Sequence, residues 1–423
     1  MMARCQTNAD GWRALFAELD LSARLIDTGR ADVTATQIKA ISGREPRLMS
    51  KFDTRDARPA ALKEGDTTIL PTANGYYALV AGDGYANVPS IEAITSFHWP
   101  KAGTLQTLPT GFQSESQVID AVHASGLLAR FVNDSDTVLT VRGRLRSPAF
   151  SFSFRGPRIV HDLDVDGVQV EVDAGYEGDA AVYLIEAKLG ERDNFHVRQL
   201  YYPYRMWKKR GVTKPLVPIF LTYANGVISL AEYGFRDENE YGSIELVRSE
   251  NFSFEAHPVH LSLDEVVART KPLASEPENL PFPQADDIRK VRDTVDIIAS
   301  GCDTRDTLAE YWTVDRRQGD YYANAAAFIG YIVRDEHTWR ITEEGASYLA
   351  LPNSQRNIHL AQAILEHPVF YAAAVSYLES RTLPPKEEIA EFIQRYTTLA
   401  GSTPLRRAST VASWIGFLAK LLD

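Results

Sequence analysis

The chain holds only two cysteines, Cys5 and Cys302, in 423 residues. That excludes a disulfide scaffold and any thiolate zinc site. Long apolar runs are also missing: nothing approaches the roughly 18 residues that cross a bilayer. The opening MMARCQTNADGW has no apolar core after its arginine, so no signal peptide is expected and a cytoplasmic protein is. Positive charge is scarce as well. Lys and Arg number 45 against 56 Asp and Glu, a net charge of −11. This argues against a protein that coats nucleic acid nonspecifically, though not against a local basic cleft.

What is present is a globular composition, 44% hydrophobic and 24% charged, in a chain long enough for two or three cores. Its most informative stretch is VQVEVDAGYEGDAAVYLIEAKLGERDNFHVRQLYYPYRMW, residues 168–207. It reads as strand, turn, strand, helix. Alternate residues of a strand share a face, so Glu171 and Asp173 project together, as do Glu186 and Lys188. Folding about a Gly178-Asp179 turn sets Glu171 opposite Glu186, with Asp173 on the diagonal, roughly 5–8 Å apart. Carboxylates that close repel unless one is protonated or a cation lies between them. Oxygen-only ligands suit Mg²⁺ or Mn²⁺. The following helix, capped by Asp193 and bent at Pro203, carries Gln199, Tyr202 and Arg205 on one face. His196 has no partner at ligand spacing and reads as structural.

Other segments supply charge. In REPRLMSKFDTRDAR, residues Arg44, Arg47, Lys51, Arg55 and Arg58 outnumber Glu45, Asp53 and Asp56; this is read as a solvated loop, with contact to DNA phosphates as the alternative. Ser114 and Gln117 form a capping box for a helix whose first turn holds Glu115. The helix dipole alone favours an acid there. In TVRGRLRSPAFSFSFRGPR, Arg142, Arg144 and Arg146 alternate with no acid between Thr137 and His161, so in an extended segment they face one way and call for anions such as phosphates. Phe150, Phe152 and Phe154 read as core. Asp166-Gly167 is a hairpin turn signal leading into the Asp173 strand.

Residues 272–286 (KPLASEPENLPFPQA) read as a proline-rich linker. Beyond it come an amphipathic helix on Ile288, Val291, Val295 and Ile298, the short helix RDTLAEYW, the longer RQGDYYANAAAFIGYI, a small hairpin and further helices. The order is that of a winged helix-turn-helix, with Arg316, Arg317 and Gln318 on the outer face of its second helix. The last segment, TPLRRASTVASWIGFLAKLL, puts Arg406 and Arg407 in the first turns of a final helix.

Asp173-x12-Glu186-x-Lys188 followed by a helix with Gln199 resembles the core of the PD-(D/E)XK nucleases. With the EPRLMxKFD segment, RGRLR, RQLYYPYR and the winged-helix tail, the chain resembles type II restriction endonucleases of that superfamily. The resemblance implies an α/β fold in three parts: an α+β unit at 1–105, with DNA contact as its alternative reading, a mixed-sheet nuclease core at 106–271, and a mostly α winged-helix domain at 287–423. It implies Mg²⁺-dependent hydrolysis of duplex DNA at a short specific site to leave 5′-phosphates, with Mn²⁺ as substitute. Asp173, Glu186 and the Ala187 carbonyl would hold the metal. Lys188 would face the phosphate and its water, Gln199 would support them, and Glu115 or Glu171 would add a further acid. Arg142, Arg144, Arg146, Arg316, Arg317, Gln318, Arg406 and Arg407 would contact DNA. A homodimer is implied, with a methyltransferase of the same specificity as genetic partner and no membrane. Here Val172, not proline, precedes Asp173, a position that does no chemistry. Three other readings stay open: a nuclease specific for methylated DNA, a nuclease for structured ends, and a transcriptional regulator with a degenerate nuclease domain.

Overall fold

The computed structural model describes residues 7–91, 93–101, 104–108, 112, 114–255, 259, 261–312 and 316–422. The fold is mixed α/β and divides into two compact units. One is Met1–Tyr223 with Val227–Ser253; the other is Phe254–Asp423 with Ala224–Gly226. No helix among the described residues is long and apolar enough to cross a membrane.

The first unit starts with a capping box. Thr7 Oγ1 accepts from the Asp10 amide, and the Asp10 carboxylate accepts from the Thr7 amide. There follow α1 (Asn8–Glu18), α2 (Leu21–Thr28), β1 (Arg30–Thr34), α3 (Ala35–Ser42), α4 (Pro46–Ser50), α5 (Ala60–Lys63), β2 (Thr67–Ala73) and β3 (Tyr76–Ala81). The three strands form a sheet in the order β1-β3-β2. Trp12, Leu15, Ile38, Met49 and Leu79 share its core.

The chain continues through β4 (Tyr85–Asn87), β5 (Thr95–Ser96), α6 (Glu115–Ala124), α7 (Leu127–Val132), β6 (Val138–Arg146), β7 (Phe150–Arg155), β8 (Val160–Val165), β9 (Gln169–Glu177), β10 (Val182–Leu189), β11 (Asn194–His196), α8 (Arg198–Lys209), β12 (Leu216–Ala224), β13 (Val227–Phe235) and β14 (Ile244–Ser253). A seven-stranded sheet has the order β5-β14-β13-β12-β10-β9-β6. It is mixed: β10 runs parallel to β12 and antiparallel to β9. Parallel neighbours need a crossover, and α8 supplies it. The boundary expected at 105 does not hold, because β4 pairs with β11 and β5 joins β14 of the large sheet. Asp166-Gly167 makes no hairpin either. β8 pairs with β7 and β9 with β6, so Gly167, at φ 65°, turns the chain from one sheet to the other.

The second unit contains α9 (Leu263–Arg269), α10 (Ile288–Ala299), α11 (Arg305–Trp312), α12 (Arg316–Phe328), β15 (Ile332–Asp335), β16 (Thr338–Ile341), α13 (Glu343–Ala350), α14 (Asn353–Leu365), α15 (Pro368–Ser380), α16 (Lys386–Tyr396) and α17 (Thr403–Leu422). β15 and β16 form the expected hairpin, with an added bridge from Thr304 to Thr338. The proline-rich segment is not a linker. Phe282 and Ala285 are buried in the core of this unit, and the Phe282 ring lies 5.9 Å from that of Phe370. Glu276 is buried too, accepting from the Val369 amide at 3.1 Å and standing 2.6 Å from His367 Nδ1. Proline stiffened a packed wall here, and the boundary lies earlier, after Ser253.

Candidate active site

The site begins with the turn between β9 and β10. Its four residues run from Gly178 to Ala181, closed by Gly178 N–H donating to the Ala181 carbonyl at 2.9 Å. Asp134 organises it from outside. Its carboxylate accepts from the amides of Ala180 (3.0 Å) and Asp179 (3.3 Å) and from the Tyr183 hydroxyl (3.0 Å). These donors, the Ala180 amide foremost, hold Asp134 below the usual aspartate range. A Cβ on Gly178 would lie 2.2 Å from Asp134 Oδ2, so only glycine fits without a shift.

That longer turn sets the register. Val182 pairs with Glu177 and Ile185 with Ala174; one step further, Glu186 falls across from Asp173. The expected pairing of Glu186 with Glu171 is therefore displaced by two residues. Glu171 instead accepts from Arg144 at 3.1 Å, lies 4.0 Å from Arg47 and is half exposed. It stands apart from the other acids.

Past Ala174 the Asp173 side chain replaces the ladder, Oδ2 accepting from the Ala187 amide at 2.9 Å. Glu186 is only 8% exposed. Its Oε1 accepts from Lys188 Nζ at 2.6 Å and from Gln199 Nε2 at 2.7 Å. Lys188 Nζ also donates to the Ala187 carbonyl at 2.9 Å and lies 3.6 Å from Glu115 Oε1 at the start of α6. The structure thus brings together Asp173, Glu186, Ala187, Lys188, Gln199 and Glu115.

Burial pushes the Glu186 carboxyl up to about 7; Lys188 opposes that rise, and Asp173 and Asp53 add to it. Burial likewise lifts Glu115. For Lys188, burial alone would depress the ammonium. The carboxylates of Glu186, Glu115, Asp173 and Asp53 outweigh it and hold the group above the ordinary lysine value.

Gln199 is delivered by α8, but not through the expected cap. Asn194–His196 is a strand, and α8 starts after Val197 with no side-chain cap. Tyr202 and Arg205 turn elsewhere, to the carbonyls of Pro71 and Glu238. His196 is buried against Ile69 O and Tyr241, and burial depresses its pKa, as suits a structural residue.

The arginines of β6 do not form an unpaired row. Arg142 donates to Asp120 at 2.7 Å and Arg144 to Glu171. The Arg146 guanidinium lies beside Gly167, where an added Cβ would come within 2.7 Å of it. Register shifts around Val141, with Gly143 at φ 103°, leave Arg142 out of the ladder, while Arg144 and Arg146 pair in register with Glu171 and Gln169. The anions that the sequence lacked locally come from α6 and β9. In the second unit, Arg317 donates to the Tyr321 hydroxyl and lies over its ring. Gln318 and Arg406 are exposed. The charge of Arg407 is disfavoured by burial, then by Arg406, and favoured by Tyr321 of α12. The side chain of Arg316 lies outside the described residues.

Two residues at the site were not assigned to it from the sequence. Lys51 and Asp53 flank the buried Phe52 and lie 3.9 Å from each other. Charge interactions reach from Lys51 to Glu115 and from Asp53 to Glu186 and Lys188. The sequence placed them in the EPRLMxKFD segment but gave them no part in the active site.

As a metal site, the donors are all hard oxygens, fitting Mg²⁺ or Mn²⁺. Two buried oxygens, Asp53 Oδ1 and Gln199 Oε1, have no hydrogen-bond partner. Among the described residues, no three or more His, Cys, Asp and Glu side chains are grouped as a metal-binding set. The donor set expected from the sequence has two such side chains, with a backbone carbonyl as the third oxygen.

Three family models match the chain. All describe domains of unknown function: DUF6996 over residues 9–79, DUF6997 over 80–253 and DUF7226 over 290–423. No curated protein and no solved structure matches it. The DUF6997 match ends where the first compact unit ends and contains Glu115, Asp173, Glu186, Lys188 and Gln199. Lys51 and Asp53 belong to the DUF6996 match that precedes it.

Proposed function

We propose that the chain is a Mg²⁺-dependent endonuclease that hydrolyses phosphodiester bonds of duplex DNA at a short specific site, of the type II restriction kind. The observation that carries this reading is the meeting of Asp173, Glu186 and Lys188 at the end of β10, with Gln199 donating to Glu186. A mixed sheet whose parallel pair β10 and β12 is bridged by α8, with an acid at the start of α6, supports a PD-(D/E)XK core.

Asp173, Glu186 and the Ala187 carbonyl would hold Mg²⁺, with Mn²⁺ as substitute. When bound, the ion supplies Lewis acidity at neutral pH and offsets charge developing on the phosphate. The Ala187 amide fixes the Asp173 carboxylate, and Gln199 fixes that of Glu186. Lys188 carries a full charge, by which it grips a phosphate oxygen and orients the attacking water. Glu115, beside Lys188 and shifted toward neutral pH, accepts the proton that the water gives up. The water oxygen bonds to phosphorus as the P–O3′ bond breaks, and the leaving O3′ takes a proton from solvent water, which leaves a 3′-hydroxyl and a 5′-phosphate.

The order α10, Thr304 bridge, α11, α12, β15, β16 supports reading the second unit as a winged helix that engages DNA through Arg316, Arg317 and Gln318, with Arg406 and Arg407 of α17 nearby. Each site cuts one strand, so a homodimer acts on a duplex, in the cytoplasm, where a methyltransferase of the same specificity protects the host site.

The test is a pair of substitutions. Glu186→Gln and Lys188→Ala should each lower cleavage by about a hundred- to a thousandfold while DNA affinity stays near that of the unaltered protein. Cutting at the original rate by either variant refutes this active site.

A further inference from the structure

The segment between α4 and α5 is tied at several points to β4 and β11, just ahead of the helix that carries Gln199. The Asp53 carbonyl accepts from the His196 amide at 3.0 Å, and the Phe52 carbonyl accepts from the Tyr85 hydroxyl at 2.9 Å. The Arg55 amide donates to Asn194 Oδ1 at 2.7 Å. Phe52 is buried. His196 lies three residues before Gln199, the partner of Glu186, so the anchor of Asp53 and the support of Glu186 belong to one short stretch.

Side-chain geometry agrees with backbone anchoring. Asp53 Oδ1 is buried without a hydrogen-bond partner, a costly state for a carboxylate oxygen. The only ion pair it makes among the described residues is with Lys51, at 3.9 Å. Asp53 also acts on the charges of both Glu186 and Lys188. A surface salt-bridge residue has no need of either arrangement.

We infer that Asp53 is a further carboxylate of the metal centre, so that the N-terminal segment of residues 9–79 completes a site whose other acids lie in residues 80–253. This rests on the nuclease reading above. Four acids (Asp53, Glu115, Asp173 and Glu186) then share the site with two lysines (Lys51 and Lys188), an excess of negative charge that one divalent cation neutralises. Asp53 would hold the cation either directly or through an ordered water.

Calorimetric titration with Mn²⁺ in the absence of DNA tests this. It compares the full chain with its Asp53→Asn and Glu186→Gln variants, their folding followed by thermal melting. Asp53→Asn should weaken Mn²⁺ binding about 10- to 100-fold. If Glu186→Gln loses affinity and a folded Asp53→Asn keeps it, the inference is overturned while the nuclease reading stands. If neither substitution changes the affinity, the metal centre is misplaced and both fall. The unaltered chain gives a second, independent readout. Fe²⁺ with ascorbate and peroxide cuts a backbone close to bound metal. Breaks should appear around Asp53 as well as around Asp173 and Glu186; breaks at the latter two alone contradict the inference, whether or not Asp53→Asn folds.

Discussion

Asp134 reaches across 46 residues to accept a hydrogen bond from the amide of Ala180 at 3.0 Å. By holding the turn open at four residues, this contact sets which acid of β9 faces Glu186. Gly178→Ala would drive a methyl group into the Asp134 carboxylate, 2.2 Å from Oδ2. It should cost about 1–3 kcal/mol in denaturant unfolding and lower activity with it. Adding Asp134→Ala should make the double variant less destabilised than the sum of the two singles. Strict additivity would show that Asp134 does not crowd Gly178.

The same carboxylate predicts an acid limb. Its folded pKa lies below the ordinary 3.8, so its stabilisation is complete above that value. It is lost as pH falls through the depressed one. Unfolding free energies of the unaltered protein and Asp134→Asn, measured from neutral pH downward, should converge below 3.8. A gap that persists unchanged into strong acid would rule out the charge as the source.

How far the site was legible depended on the range of the forces that built it. Ser114 and the acid behind it, the strand that carries Glu186 and Lys188, and the final helix with Arg406 and Arg407 in its first turns are local signals, and each element stands where the sequence put it. Register was not local, because it is set by Asp134, outside the hairpin. Nor was the pairing of Arg142 and Arg144, whose carboxylates come from α6 and β9. Asp53 is brought in by hydrogen bonds to β11 and Tyr85 that no spacing announces. Proline in 272–286 signalled chain stiffness, and whether a stiff segment packs depends on partners such as Phe370.

Packing of that segment has a measurable consequence. Glu276→Ala leaves the Val369 amide and a ring nitrogen of His367 without their buried partner. Stability should fall by about 1–3 kcal/mol in denaturant unfolding. A flexible linker predicts no change.

Basic residues of the second unit make a separate prediction. Replacing Arg317 and Arg407 with Ala should weaken DNA binding. The slope of log affinity against log salt should drop by about one for each phosphate that is no longer neutralised. Unchanged slope and unchanged site choice would assign α12 and α17 to protein contacts.

Metal-dependent cutting of DNA by Asp173, Glu186 and Lys188 is the activity we propose. Its most direct measurement is digestion of a sequenced duplex plasmid by the full chain, with methylated and unmethylated substrate, in Mg²⁺, Ca²⁺ or EDTA. The account predicts discrete fragments with 5′-phosphate ends in Mg²⁺, binding without turnover in Ca²⁺, and intact plasmid in EDTA. Cleavage at full rate in EDTA, or intact plasmid of both methylation states in Mg²⁺, would contradict it.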